Sequence, residues 1–162
     1  LDEHVHFGSS VDIHGGWVGT LASMLFQSNI PVTTIRSIDI DPSCESIATM
    51  MNKKEEIEGR FRAVTSDMCT IRSDADIIIN TSCEHITQDQ YDLWLSGHPH
   101  DSLLVLQSNN YNIPEHVRIA KDLKEMQIET SISEADISYV KNDQEVNFTV
   151  PLYKRFMVIG CV

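Results

Sequence analysis

No stretch of this 162-residue sequence approaches the ~20 consecutive apolar residues of a membrane-spanning helix, so no membrane partner is expected. Basic residues are scarce: 12 Lys and Arg stand against 24 Asp and Glu, a formal net charge of −12. The longest basic pair, Lys53-Lys54, runs directly into Glu55-Glu56. Duplex nucleic acid is bound by clustered cations that neutralise phosphates, so it is not an expected partner either. Cys44, Cys69, Cys83 and Cys161 are scattered, with no C-x-x-C pair and no Cys/His zinc spacing. That pattern reads as reduced thiols in a cytoplasmic protein. There are no repeats, low-complexity segments or linker-like breaks, so residues 1–162 read as one domain large enough for a single core. The chain opens on Leu1 rather than Met, consistent with a processed or truncated N-terminus.

What is present is organised around Val11 to Thr20, V-D-I-H-G-G-W-V-G-T. A short apolar strand (Val11, Ile13) enters Gly15, Gly16 and Gly19, and an unbroken helical run follows from Leu21 to Phe26. Strand, glycine turn and helix together bring backbone close to a nucleotide-bearing ligand, and the helix N-terminus favours negative charge there. An alternative register would place the turn at Phe7-Gly8-Ser9-Ser10 and leave Asp12 in a loop. Downstream, the β-branched run from Val32 closes on Ser37-Ile38-Asp39-Ile40-Asp41-Pro42. A carboxylate at the tip of a second strand, about 20 residues past a glycine turn, can accept two hydrogen bonds from a ribose diol. The turn reads G-G-x-x-G and not G-x-G-x-x-G, which tilts the expectation from a dinucleotide to a single nucleoside with a small charged tail, such as S-adenosylmethionine (SAM).

Strand and helix signals alternate along the chain, as in an α/β sheet with helices on both faces. Strands are expected at 11–13, 32–39, 61–65, 75–80 and 102–106. Ile77, Ile78 and Ile79 mark a central strand buried on both faces. Helices are expected at 17–27, from Pro42 with Asp41 as cap to near Gly59, after the Thr87/Gln90 capping box, and from Pro114. Ile47, Ala48, Met50 and Met51 are the expected inner stripe of the second helix, and Val117, Ala120, Leu123 and Met126 that of the last. Residues 132–140 and 150–162 read as two strands of a hairpin closing one edge.

These blocks resemble the class I SAM-dependent methyltransferases over nearly the whole chain. V-D-I-H-G-G-W-V-G is similar to the family's first motif, I-D-I-D-P (38–42) to its ribose-binding strand end, and S-D-M (66–68) to its adenine-contacting position. A-D-I-I-I-N-T-S-C-E-H-I (75–86) resembles the fourth strand and its Glu-His, and H-P-H-D-S-L-L-V-L-Q-S-N-N-Y the fifth strand. The compact length is similar to small, phage-encoded methyltransferase-like proteins. The resemblance implies a Rossmann-like, doubly wound, seven-stranded sheet, mostly parallel with an antiparallel C-terminal edge hairpin. It also implies methyl transfer from SAM to a small-molecule acceptor. Binding of SAM or a partner without transfer is the alternative. The sequence departs from the family pattern at His14, where glycine is usual, at the extra residue before Gly19, and at Pro99-His100-Asp101.

Under the resemblance, Asp39 and Ile40 sit at the ribose, Asp12 orients the ligand's ammonium, and Gly15, Gly16, Trp17 and Gly19 face the ligand. Asp67 would accept from the adenine amino group, Met68 would flank the ring, and Asn80 would hold the methionine portion. Each has a plainer reading: an acid before Pro42 caps a helix, Asp12 can serve glycine-loop amides, Trp17 can anchor its helix, and an Asp after a strand is common turn chemistry. His85 is the candidate for taking a proton from the acceptor. Glu84-His85 can equally tie the fourth strand to the next helix. Asn109, Asn110 and Tyr111 could line the acceptor pocket or form a polar loop. His98 and His100 form a loose pair with no third ligand, so an exposed loop is expected there and no metal site is assigned.

Overall fold

The computed structural model describes residues 8–99, 101–130 and 154–161. Its sheet has six strands in the order β3-β2-β1-β4-β5-β6. They are β1 (Ser9–His14), β2 (Val32–Asp39), β3 (Phe61–Thr65), β4 (Ile77–Asn80), β5 (Leu103–Asn109) and β6 (Arg155–Gly160). All neighbours are parallel except β5 and β6, which are antiparallel. The first hairpin strand, expected at 132–140, lies outside the described residues, so six strands are seen where seven were expected.

Period-two alternation divides the core between the two faces of the sheet. Ile77, Ile79 and Val105 join Val11, Ile13, Ile35 and the buried residues of α1 (Thr20–Gln27) and α2 (Pro42–Met51) on one face. Ile78, Leu104 and Leu106 join Tyr91 and Trp94 of α4 (Gln88–Leu95) and Met126 of α5 (Leu123–Thr130) on the other. Ile77, Ile78 and Ile79 are all buried, as expected of a strand covered on both sides.

Several local expectations are corrected. Trp17 and Gly19 have positive φ (47° and 78°), so α1 begins at Thr20 and not at Trp17. Ile47, Met50 and Met51 are exposed; the inner face of α2 is Cys44 and Ala48, with Asn52 one turn further on. These small residues allow the helix to lie close to the glycine turn. At Asn52 the helix breaks, because its side chain donates to the Gly19 and Ala48 carbonyls, and α3 (Lys53–Ile57) follows. Pro114 does not open a helix: the backbone N–H groups of Val117 and Arg118 donate instead to the Glu84 carbonyl, and α5 starts only at Leu123. The Thr87/Gln90 capping box has both of its hydrogen bonds. Among the described residues no helix is long and apolar enough to cross a membrane.

Candidate functional site

Strand order reverses between β1 and β4, so the loops leaving these two strands flank the switch point where ligands enter such sheets. Ser9 and Ser10 lie in β1, which excludes the turn at Phe7–Ser10 and gives Gly15–Gly19 as the turn. Its backbone is anchored by Gly16 N–H donating to the Ile38 carbonyl and Gly19 N–H to the Gly16 carbonyl, 2.9 and 3.0 Å.

Asp39, at the end of β2, reaches into this turn. Its Oδ2 accepts from Trp17 N–H at 2.8 Å and its Oδ1 from Asp41 N–H at 3.0 Å. Each carboxylate oxygen accepts about two hydrogen bonds, so each retains acceptor capacity. Helix capping falls to Asp41, whose Oδ1 accepts from Ser43 N–H at 2.9 Å. Trp17 adopts a left-handed conformation at φ 47° and leaves its side chain 66% exposed, while Ile40 on the far side of Asp39 is 69% exposed. A left-handed conformation costs a residue with a Cβ roughly 1–2 kcal/mol. Here that cost keeps the Trp17 amide on Asp39 and leaves the indole exposed.

The glycines are packed against the protein itself. A Cβ on Gly15 would lie 2.1 Å from Ser82 Oγ and 2.7 Å from Ser82 Cβ; one on Gly16 would lie 2.1 Å from Ser37 Oγ; one on Gly19 would meet Asn52 and Ala48. Thr81 closes the same side, donating N–H to the His14 carbonyl and Oγ1 to the Gly15 carbonyl. The open flank of the turn is therefore the Trp17–Asp39–Ile40 side. Gly15→Ala should cost the left-handed penalty of about 1–2 kcal/mol plus about 1–3 kcal/mol of overpacking against Ser82. Gly59 has a similar φ, +71°, with nothing within 4 Å, so Gly59→Ala should cost the backbone penalty alone. Urea unfolding of both variants measures the difference; equal losses would show that Ser82 imposes no constraint on Gly15.

Of the remaining expected residues Asp12 lies inside β1, and the others lie at or after the carboxyl ends of β3, β4 and β5. Asp12 is buried in β1; Arg36 donates to both of its oxygens and Ser73 to one of them. Asn80 is fully buried: its Nδ2 donates to Met68 Sδ at 3.5 Å, and its Oδ1 accepts from Ser82 N–H at 2.9 Å. Asp67 is exposed and takes Cys69 N–H at 2.9 Å within its own turn. Beyond β4, a single 3-10 turn, Cys83–His85, buries Glu84 and exposes His85. Asn109 is the last residue of β5, and Tyr111 N–H donates to its Oδ1.

Sequence reasoning missed a histidine pair beneath the turn. His98, expected on an exposed loop, is buried, with its ring 4.5 Å from Trp94 and 5.3 Å from His14 between centroids; His100 lies outside the described residues. His14 takes the place of the usual glycine and is fully buried, its Nδ1 accepting from Trp94 Nε1–H at 3.0 Å. Burial, reinforced by Arg36 and in the case of His14 by His98, pushes His14 down to about 3 and His98 to about 4, against the opposing pull of Asp12. The signal in the sequence was indirect: a histidine in a motif that usually carries glycine needs a partner elsewhere, here Trp94.

No protein-family model matches the sequence, and no curated protein matches it. Solved structures do. The apo S-adenosylmethionine-dependent methyltransferase SibL aligns with a TM-score of 0.66 at 12% identity, over 94% of this chain and 50% of its own. The chain is also similar to the mitomycin 7-O-methyltransferase MmcR, with a TM-score of 0.65 at 12% identity over 95% and 49%. A third is a SAM-dependent methyltransferase from Geobacter sulfurreducens in complex with S-adenosylhomocysteine, with a TM-score of 0.52 at 10% identity over 72% and 46%. This is the class I methyltransferase fold. The chain spans about half the length of these three solved methyltransferases.

Proposed function

We propose that this methyltransferase-fold protein binds SAM on the Trp17–Asp39–Ile40 flank and transfers its methyl group to a small-molecule acceptor. The observation that carries the reading is the Asp39 carboxylate, held at the glycine turn by the Trp17 amide, with the side chains of Trp17 and of the adjacent Ile40 both exposed. A carboxylate with remaining acceptor capacity suits a sugar diol, and apolar surface beside it suits a purine. When bound, the sulfonium would supply a methyl group already activated for in-line displacement. This chain's residues would then bind, orient and exclude water, and they need form no covalent bond. Asp39 would hold the ribose, with Trp17 and Ile40 against the nucleoside. Gly15, Gly16 and Gly19 would shape the backbone beside it. Asp67 and Met68 would meet the adenine. Asn80, spent on Met68 and Ser82, would support that end of the site from beneath, and Asp12, engaged by Arg36 and Ser73, would set β1 against β2. His85 is the residue offered for the acceptor's proton: its Nδ1 lies on the Glu115 carbonyl at 3.0 Å, which leaves the lone pair on Nε2.

Binding without transfer is the second reading, favoured by Thr81 and Ser82 closing over Gly15. Calorimetry with SAM, S-adenosylhomocysteine and NAD tests the proposal. Saturable heat from the first two and none from NAD is expected; binding of NAD alone would replace the reading with an oxidoreductase. Transfer of label from SAM to an acceptor then separates the enzyme from the binding protein.

A further inference from the structure

We propose that Glu84, His85 and His116 bind a divalent transition-metal ion of the zinc and iron class at the mouth of the β4 and β5 ends. One potential ligand atom from each residue lies within 4.8 Å of the others. The two imidazole rings meet edge to face, centroids 4.9 Å apart.

Both rings are held by a backbone carbonyl on Nδ1. His85 Nδ1 lies 3.0 Å from the Glu115 carbonyl, and His116 Nδ1 lies 2.7 Å from the Tyr111 carbonyl. A carbonyl only accepts, so each Nδ1 carries the proton and each Nε2 bears an unshared pair. A backbone carbonyl behind the ring is the usual support that fixes a ligating imidazole's tautomer and direction. The third member points to a ligand independently. Glu84 is only 3% exposed; its Oε1 accepts from Asn109 Nδ2 at 2.7 Å, while its buried Oε2 has no donor among the described residues. A buried carboxylate oxygen without a donor is costly, and a cation supplies what is missing.

The framework around the cluster is firm. The Glu84 carbonyl accepts from Val117 and Arg118 N–H, Arg118 Nη1 donates to the Cys83 carbonyl at 3.2 Å, and Asn109 links the Glu84 carboxylate to the Tyr111 amide. These bonds explain why the segment after Pro114 is not helical: its backbone is committed to the turn that carries Glu84 and His85. Two imidazoles and one carboxylate select zinc, iron(II) or cobalt(II) over magnesium or calcium, and leave coordination positions for an outside oxygen or nitrogen ligand. Ligand atoms around such an ion lie about 3–3.5 Å apart at metal–ligand distances of ~2.1 Å, so binding should draw the loop carrying His116 inward. If the methyl-transfer reading also holds, the outside ligand is an acceptor bearing a hydroxyl or carboxylate, and the Nε2 lone pair that would take the acceptor's proton in the metal-free protein is occupied by the ion in the loaded one. The site itself does not depend on that reading.

Equilibrium dialysis of the chelator-stripped protein against Zn2+, with Co2+ absorption spectra in parallel, is the test. One equivalent of Zn2+ bound by the wild type, no competition from Mg2+, and at least about a 100-fold weaker affinity in both Glu84→Gln and His116→Ala are expected. His116→Ala covers the case in which Glu84→Gln, which disturbs Asn109, fails to fold by circular dichroism. Zn2+ affinity unchanged in the folded His116→Ala protein, or no bound equivalent in the wild type, overturns the proposal. SAM calorimetry on the same preparations shows separately whether the cofactor reading stands.

Discussion

Replacing Asp39 by alanine should reduce SAM affinity by 100-fold or more while leaving the fold intact. Hydrogen bonds to a charged acceptor contribute about 1.5–3 kcal/mol each, and the ribose diol would make two. Each 1.4 kcal/mol is a tenfold change in binding. The carboxylate also accepts the Trp17 and Asp41 amides in two solvent-exposed bonds, so Asp39→Ala should lower stability by about 1–3 kcal/mol in all. Asp41→Ala is the matched control: it removes the α2 cap, with about 1 kcal/mol of stability, and should leave SAM binding unchanged. Calorimetric titration of SAM into the three proteins reads the result. Equal affinity in wild type and Asp39→Ala would remove the ribose assignment and the reading built on it.

The second large effect is acid sensitivity from the buried histidines. His14, at about 3, and His98, at about 4, both sit well below the ordinary value of 6.5, chiefly through burial, with Asp12 and Arg36 as the charged groups facing them. Between those values and 6.5 the unfolded chain binds protons that the folded chain refuses. The stability they represent is therefore complete above pH 6.5 and is lost as pH falls. With 1.36 kcal/mol per pH unit for each group, the loss is about 2.7 kcal/mol per unit for the pair, or roughly 4 kcal/mol by pH 5. Stability of an ordinary domain is about 5–15 kcal/mol, so unfolding should set in near pH 4–5. Asp41, Asp76 and Glu125, whose carboxyls are held low by backbone hydrogen bonds, act only at lower pH. Neither ring nitrogen of His98 has a partner among the described residues. His98→Phe should therefore halve the slope between pH 6.5 and 5 and be no less stable than wild type at pH 7. Urea unfolding across that range measures both, and an unchanged slope would show that His98 is not one of the groups responsible.

The two titrating rings illustrate what was hidden in the sequence. Ile77-Ile78-Ile79 announces a buried central strand because the run is short, β-branched and apolar at every position, which suits a strand covered on both faces. The Thr87/Gln90 box announces a helix start because its hydrogen bonds are local. Asp39 was legible because a strand end and a glycine turn specify its position within a few residues. His98 was not, because its burial depends on Trp94 of the preceding helix and on His14 two strands away. Ile47 and Met50 misled for a related reason: apolar periodicity marks a face, but the close approach of α2 to Gly19 selects the small face of Cys44 and Ala48 instead.

Sequence alone therefore determined the alternation of strands and helices and the carboxylate at the end of the second strand, because these rest on short-range backbone preferences and on a period of two or 3.6; the choice between two registers of the glycine turn fell to the structure, where Ser9 and Ser10 lie in β1. The tertiary structure alone decided that the glycines are packed by Ser82, Ser37 and Asn52, that Asp12 is committed to Arg36, and that Glu84 and His85 meet His116. Those contacts join residues from separate loops, and only closure of the sheet brings their side chains within bonding distance.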